Sequence, residues 1–545
     1  MINATDGIVK ILKQEGVEWV STFPVCKINN ALGREGIPMI MMRDDRFAIA
    51  VADAYTRVTG GDPIGACTVQ GGLNAAGLQV AYAGLAQAYE DNVPVLCLTD
   101  GLNIGGTENS HFDVTTSLKT VCKWYGYIDK PERVPEFMRR AFTMLRTGRP
   151  GPVIVALPES GGEYDETVDP YVPVKGWKSA PDPTDVTAAA ELLKNAKNPL
   201  VYVGEGVIYA DACDELKTVV ELLNAPVVST LKAKGAFPED HPLFLGVRGD
   251  AVIDYLTNAD LILAVGSSLS PGRFSHRIPN ATGKTIINVN VNELDVNKIF
   301  PTAQALIGDA RFSLQALANE LDGNGRAAGN TAAEVKAARD EELKPYREAM
   351  ASTDTPINPY RVYAGLMEVL DPHNSFVTHE SGNTRDQLST VYDTLIPRGF
   401  LGWGNVSSLG FSMGAVLGSK LAHPDRYAIA VTGEAGLGYF MGNLEVPVRE
   451  KLPITVVHIS NGGFAGYGPG FWGEGHDPYT HVVMGADEVN MPKAIAEFGY
   501  YTERIENPDE IEAALKRALE ANDKGQSSYL EFVCSQYPVY GGWAR

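Results

Sequence analysis

The stretch YAIAVTGEAGLGYFMGNLEVPVREKLPITVVHISNGGF, residues 427–464, decides the fold. It opens on an apolar run that reads as a buried strand and stops at Gly433-Glu434-Ala435-Gly436. A helical stretch follows, and a second apolar run stops at Ser460-Asn461-Gly462-Gly463. Strand, helix, strand in that order is the crossover unit of a parallel sheet, whose strands all end on one carboxyl edge where ligands collect. A carboxylate at the first strand end and an amide oxygen at the second can share one hard cation, while a Gly-rich helix start offers backbone N–H groups to phosphate oxygens. A diphosphate carried with Mg2+ is the natural ligand of such an edge.

The same alternation fills the chain on the N-terminal side. TDGIVKILKQEG, PIGACTVQ, NAAGLQVAYAGLAQAYEDN and VPVLCLTDG alternate helix and strand patterns, and TDVTAAAELLKNAKN, PLVYVGEG, LILAVGSSLS and KTIINVNVN do so again. SFVTHESGN and SYLEFVCS add strands to the deciding stretch. Pro, Gly and charge break the pattern over residues 158–183, and a Gly-rich piece with a charged helix does so over 322–358. The expectation is an α/β protein of three doubly wound parallel-sheet domains, at residues 1–160, 185–321 and 356–545, the first and third sharing a layout.

A length of 545 residues suits three domains at roughly 100 to 200 residues each. Lys and Arg number 46 against 67 Asp and Glu, a net charge of −21, which disfavours nucleic acid and acidic membranes as partners. No run approaches the ~18 apolar residues that span a bilayer, and the first residues lack the pattern of a signal peptide, so the expected place is the cytoplasm. Cys26, Cys67, Cys97, Cys122, Cys213 and Cys534 form neither a CxxC pair nor a zinc spacing, and reduced thiols are expected.

The deciding stretch resembles the cofactor signature of thiamine diphosphate (ThDP) enzymes, a Gly-Asp-Gly start and an Asn-Asn end about thirty residues apart. Glu434 falls on the family's metal-binding Asp, Asn461 on its second Asn, and Gly463 on the residue that gives a backbone carbonyl to the metal. RDDRFAIAVADAYTRVTG resembles the first-domain segment that carries the Glu activating the cofactor, with Asp45 at that place, and Gly71-Gly72-Leu73-Asn74 the turn after the next strand. RTGRPGPVIVALP closes the first domain as in acetolactate synthases, and TLKAKGAFPEDHPLFLG resembles the family's typical middle-domain stretch; HESGNTRDQ and SSLGFSMGAVLG are most similar to oxalyl-CoA decarboxylases and 2-hydroxyacyl-CoA lyases, within the acetolactate synthase and pyruvate oxidase branch. The resemblance implies pyrimidine-binding, middle and diphosphate-binding domains in that order. It also implies a homodimer or homotetramer, since two subunits jointly hold one cofactor in the family.

The chemistry needs a carboxyl group hydrogen-bonded to the far pyrimidine nitrogen, which the resemblance puts at Asp45, and an apolar wedge under the bent cofactor, which it puts at Leu409. Gly433, Glu434, Ala435 and Gly436, with Asn383 and Thr384, are implied as diphosphate contacts; Glu434, Asn461 and Gly463 as metal ligands. Three residues depart from the pattern, two of them at places that matter to the chemistry. Asp45 is a methylene shorter than the usual Glu, and Glu434 a methylene longer than the usual Asp, where Mg2+ accepts ligands only near ~2.0 to 2.1 Å. Ser460 replaces the first Asn.

On the substrate side, Cys26 falls where relatives face the substrate, and His111 where acetolactate synthases place an acidic residue. Phe464 and GYGPGFWGEGHDPYT read as a pocket wall or lid, and the aromatic tail SQYPVYGGWAR as a cap over a small substrate. GSSLSPGRFSHR resembles the loop where relatives hold FAD or ADP, but a Gly-rich loop assigns no flavin by itself. The expected activity is ThDP- and Mg2+-dependent cleavage or formation of a C–C bond next to a carbonyl, as a 2-oxo acid decarboxylase, lyase or carboligase. The alternatives are a cofactor-binding but catalytically silent homologue and a 2-hydroxyacyl-CoA lyase.

Overall fold

A computed structural model describes residues 1–72, 76–101, 114–157, 161–323, 329–463 and 489–545. They divide into two compact units, one made of Met1–Trp177, Val406–Pro424 and Phe440–Leu452, the other of Lys178–Asn405, Asp425–Tyr439 and Pro453–Arg545.

In the first unit a six-stranded sheet runs in the order Met39–Met41, Val20–Thr22, Ala66–Val69, Leu96–Asp100, Val153–Leu157, Trp124–Tyr127, every pairing parallel. Central strands such as Val153–Leu157 are buried along their whole length, which is why they read as unbroken apolar runs. The helix Asp45–Thr59 begins where the Asp44 side chain accepts the Phe47 amide, and it ends at Gly60 in the left-handed region. It is buried on nearly every side because the helix Phe411–Ala422 packs on it through glycines. A Cβ on Gly418 would stand 2.6 Å from the Tyr55 amide and the Val51 carbonyl, so only glycine allows this approach.

The second unit holds two more six-stranded parallel sheets. The middle one runs Phe244–Gly246, Val227–Ser229, Pro199–Val203, Leu261–Val265, Thr285–Asn290, Gln304–Ile307. The last runs Phe400–Leu401, Ser375–His379, Tyr427–Thr432, Thr455–Ser460, Ser528–Val533, Tyr501–Ile505. Numbered along the chain within each sheet, the first and last share the order 2-1-3-4-6-5, whereas the middle sheet has 3-2-1-4-5-6. All three sheets are the doubly wound kind expected, and the shared layout of first and last is present. The segment read as a substrate cap is instead packed on the middle sheet's side: the Gly249 amide donates to the Gly542 carbonyl, the Arg277 amide to Ala544, and Trp543 is buried against His276 and Arg248. Among the described residues no helix is long and apolar enough to cross a membrane.

Candidate functional site

In the last sheet the chain order reverses between Ser375–His379 and Tyr427–Thr432, the place where a doubly wound sheet opens a crevice at its carboxyl edge. Thr455–Ser460 pairs in register on the far side, Val431 opposite Val457, so the turns after all three strands lie along that edge. Glu434 begins the helix Glu434–Phe440 and is 3% exposed. Its Oε1 accepts the amides of Asn461 at 2.6 Å and Gly462 at 2.7 Å, and Asn461 Oδ1 accepts the Gly463 amide at 3.2 Å. Burial pushes the Glu434 carboxyl above its ordinary pKa; the backbone amides oppose this, and the nearby Glu531 adds to it. A carboxylate in that position gains from a cation beside it.

Glycines shape the edge. No described atom lies within 4 Å of where a Cβ would sit on Gly382, Gly433 or Gly462, one glycine after each of the three strands. Gly436 is the opposite case, since a Cβ there would strike Glu380 Cγ and stand 2.6 Å from Thr432 Oγ1. Asn383 opens the helix Asn383–Val391 and is half-buried, while Thr384 is buried and donates its hydroxyl to the Glu380 carbonyl at 3.0 Å. The open glycine edge, the carboxylate and the neighbouring amide fit a diphosphate with a divalent cation.

Two residues of this edge escaped the sequence reading. Glu380 is fully buried, follows directly on the strand Ser375–His379 that adjoins Tyr427–Thr432, and accepts the Ser381 amide at 2.9 Å. Its only signal in the sequence is a carboxylate at a strand end in HESGN. Glu531, also fully buried, takes the Ser460 hydroxyl at 3.1 Å and an Arg504 N–H at 3.3 Å, so Ser460 is anchored in the sheet rather than turned to the edge.

In the first unit Asp45 is 3% exposed, and its Oδ1 accepts the Gln70 amide at 3.0 Å. Gln70 follows the strand Ala66–Val69, which with Val20–Thr22 flanks the equivalent reversal of the first sheet. A Cβ on Gly77 would lie 2.5 Å from Asp45 Oδ1. Burial raises the Asp45 pKa, the Gln70 amide lowers it, and Asp44 raises it again. Arg46 donates to the carbonyl of Leu409, which is half-buried ahead of the helix Phe411–Ala422. Cys26 is buried, with Sγ 3.8 Å from Asp100 Oδ1. Burial and then the Asp100 charge push its thiol well up, which suits packing and not nucleophilic attack. His111, Leu73, Asn74, Phe464 and the aromatic stretch after it lie outside the described residues.

Three family models match the chain in order: the thiamine pyrophosphate enzyme N-terminal TPP binding domain over residues 2–117, the central domain over 186–317, and the C-terminal TPP binding domain over 380–532. The chain belongs to the thiamine diphosphate-dependent enzymes. A probable acetolactate synthase large subunit of Methanocaldococcus jannaschii is 29% identical over 560 aligned positions, covering 96% of this chain and 90% of that protein. The acetolactate synthase isozyme 3 large subunit of Escherichia coli K12 is 28% identical over 95% of this chain and 92% of its own length. A glyoxylate carboligase of Escherichia coli O157:H7 is 27% identical over 84% of this chain and 79% of its own length. Its branch is that of the acetolactate synthases and pyruvate oxidases.

Proposed function

We propose that the protein joins or cleaves a C–C bond next to the carbonyl of a small 2-oxo acid, using thiamine diphosphate and Mg2+. The observation that carries this is the Glu434 carboxylate bonded to the Asn461–Gly462 turn on an open glycine edge. The similarity to proteins named acetolactate synthase and glyoxylate carboligase favours carboligation of 2-oxo acids. Bound thiamine diphosphate supplies a nucleophilic carbon and an electron sink next to a carbonyl.

This chain's residues hold and orient. Glu434, the Asn461 side chain and the Gly463 carbonyl would ligate the metal, and the amides of Gly433 to Gly436, with Asn383 and Thr384, would hold phosphate oxygens. With Oδ1 taken by the Gln70 amide, Asp45 Oδ2 is the atom to share a proton with a pyrimidine nitrogen, and its raised pKa favours keeping that proton. Leu409 would support the cofactor and keep water from it. The working form is a homo-oligomer.

Calorimetry of ThDP with Mg2+ and with EDTA tests the site, and product analysis with pyruvate and glyoxylate tests the reaction. Tight binding that EDTA abolishes is expected. Equal affinity in both conditions, or none in either, overturns the reading.

A further inference from the structure

Four buried polar side chains of the first unit have no part in the function proposed above. Asp53 and Arg57 lie one turn apart on the helix Asp45–Thr59, and Gln87 and Asp91 lie at and just beyond the end of the helix Ala76–Glu90. Arg57 Nε donates to Asp53 Oδ1 at 2.5 Å and Nη2 to Asp91 Oδ2 at 3.0 Å. Gln87 Nε2 donates to the same Asp91 oxygen at 2.6 Å. At its other end Gln87 Oε1 accepts the Ser408 backbone N–H at 3.2 Å.

Burying polar groups is costly unless their hydrogen bonds are made, so a fully buried side-chain amide bonded at both ends is retained for what it connects. An amide serves both ends at once: it donates to Asp91 and accepts from the Ser408 N–H, whereas a carboxylate could not donate and an apolar side chain would make neither bond. The connected segment is not relaxed by itself. Ser407 has φ +53° and Gly410 φ +91°, and a serine in the left-handed region persists only where its surroundings hold it. From the other side Arg46 donates to the Leu409 carbonyl, and Arg57 stacks 5.2 Å from the Phe411 ring centre. The peptide group before Ser408 and the one after Leu409 are therefore tied to the helices Ala76–Glu90 and Asp45–Thr59, one on each side of the Ser408–Leu409 pair.

We propose that Gln87 is a positioning residue: the chain Asp53–Arg57–Asp91–Gln87 fixes the Ser408 amide and, through it, where the Leu409 side chain points. This rests on the reading that Leu409 supports the cofactor.

Hydrogen exchange of the full-length protein without cofactor is measured first. The Ser408 amide should be protected in the wild type, and Gln87→Met, which keeps volume and loses both bonds, should speed exchange over residues 405–411 about tenfold, as expected for one lost hydrogen bond. With ThDP and Mg2+ added, the near-ultraviolet circular dichroism of bound cofactor in Gln87→Met should shift toward that of Leu409→Ala, with kcat about tenfold lower and KM within about twofold. Wild-type exchange, dichroism and kcat in a folded Gln87→Met protein would overturn the proposal. So would a Ser408 amide exchanging at the unprotected rate in the wild type, whether or not Gln87→Met folds. A wild type that protects Ser408 but binds no ThDP overturns the proposed function and leaves the positioning of Ser408 standing.

Discussion

Glu434 and Gly462 are joined across the carboxyl edge of the last sheet by a 2.7 Å hydrogen bond from the Gly462 amide to Glu434 Oε1. Because the same oxygen takes the Asn461 amide, the longer side chain reaches the turn directly, and Oε2 is the oxygen proposed to meet the cation. Glu434→Gln keeps the shape and the acceptor but removes the charge proposed to balance the metal. Mg2+-dependent ThDP affinity should fall at least 10- to 100-fold, read by calorimetry at fixed Mg2+. Unchanged affinity would show that the metal does not rest on this carboxylate.

Gly436 carries a second expectation. Its missing side chain lets the helix Glu434–Phe440 start against Glu380 and Thr432, so Gly436→Ala must displace one of them. A stability loss of about 1–3 kcal/mol is expected, as for an overpacked core position, together with weaker ThDP binding. Chemical denaturation and calorimetry check both. A variant matching wild type in stability and affinity would contradict the packing.

Asp45→Ala should lose about 100-fold or more in kcat, since it removes the carboxyl proposed to share the pyrimidine proton. Asp45→Glu should keep or raise activity by restoring the family's reach. Gly77→Ala gives an independent arm, because its Cβ would stand 2.5 Å from Asp45 Oδ1 and turn the carboxyl away without removing it. It should resemble Asp45→Ala in kcat while leaving ThDP affinity closer to wild type. Full turnover in Asp45→Ala would rule out the assigned role.

How much of this was legible follows from which contacts are local. Residues 433–436 and 460–463 could be placed on one edge because strand–helix–strand crossovers in a parallel sheet put successive strand ends there. Glu380 could not be placed, since knowing that Ser375–His379 adjoins Tyr427–Thr432 requires the sheet order, and pairing partners far apart in sequence leave no periodic trace. Three-residue strands such as Met39–Met41 and Val227–Ser229 are too short to show a period. Gln87 looks like any polar residue on a helix until Ser408, 321 positions later, supplies its partner. The tail suggested a cap through its aromatic content, but Trp543 is spent on His276 and Arg248.

The last prediction concerns pH and His276. The Ala544 amide donates to His276 Nδ1 at 2.9 Å, so Nε2 carries the proton and donates to the Val247 carbonyl at 2.9 Å. Burial holds the ring neutral and its pKa down to about 4, against about 6.5 in an unfolded chain. Between those values the unfolded state binds the extra proton, so the contribution is complete above pH 6.5 and lost as pH falls through 6.5 toward 4. At pH 5 the loss from this histidine is about 2 kcal/mol, at about 1.4 kcal/mol per pH unit. Buried carboxyls such as Asp45, Glu434 and Glu531, whose pKa values are raised, act with the opposite sign, so the total slope does not isolate the histidine. The difference between variants does. His276→Asn retains an acceptor for the Ala544 amide and does not titrate; urea unfolding at pH 7.5 and pH 5 should show a smaller acid loss than in the wild type, by about that amount. Equal losses in the two proteins would mean that the His276 ring is not held neutral by this packing.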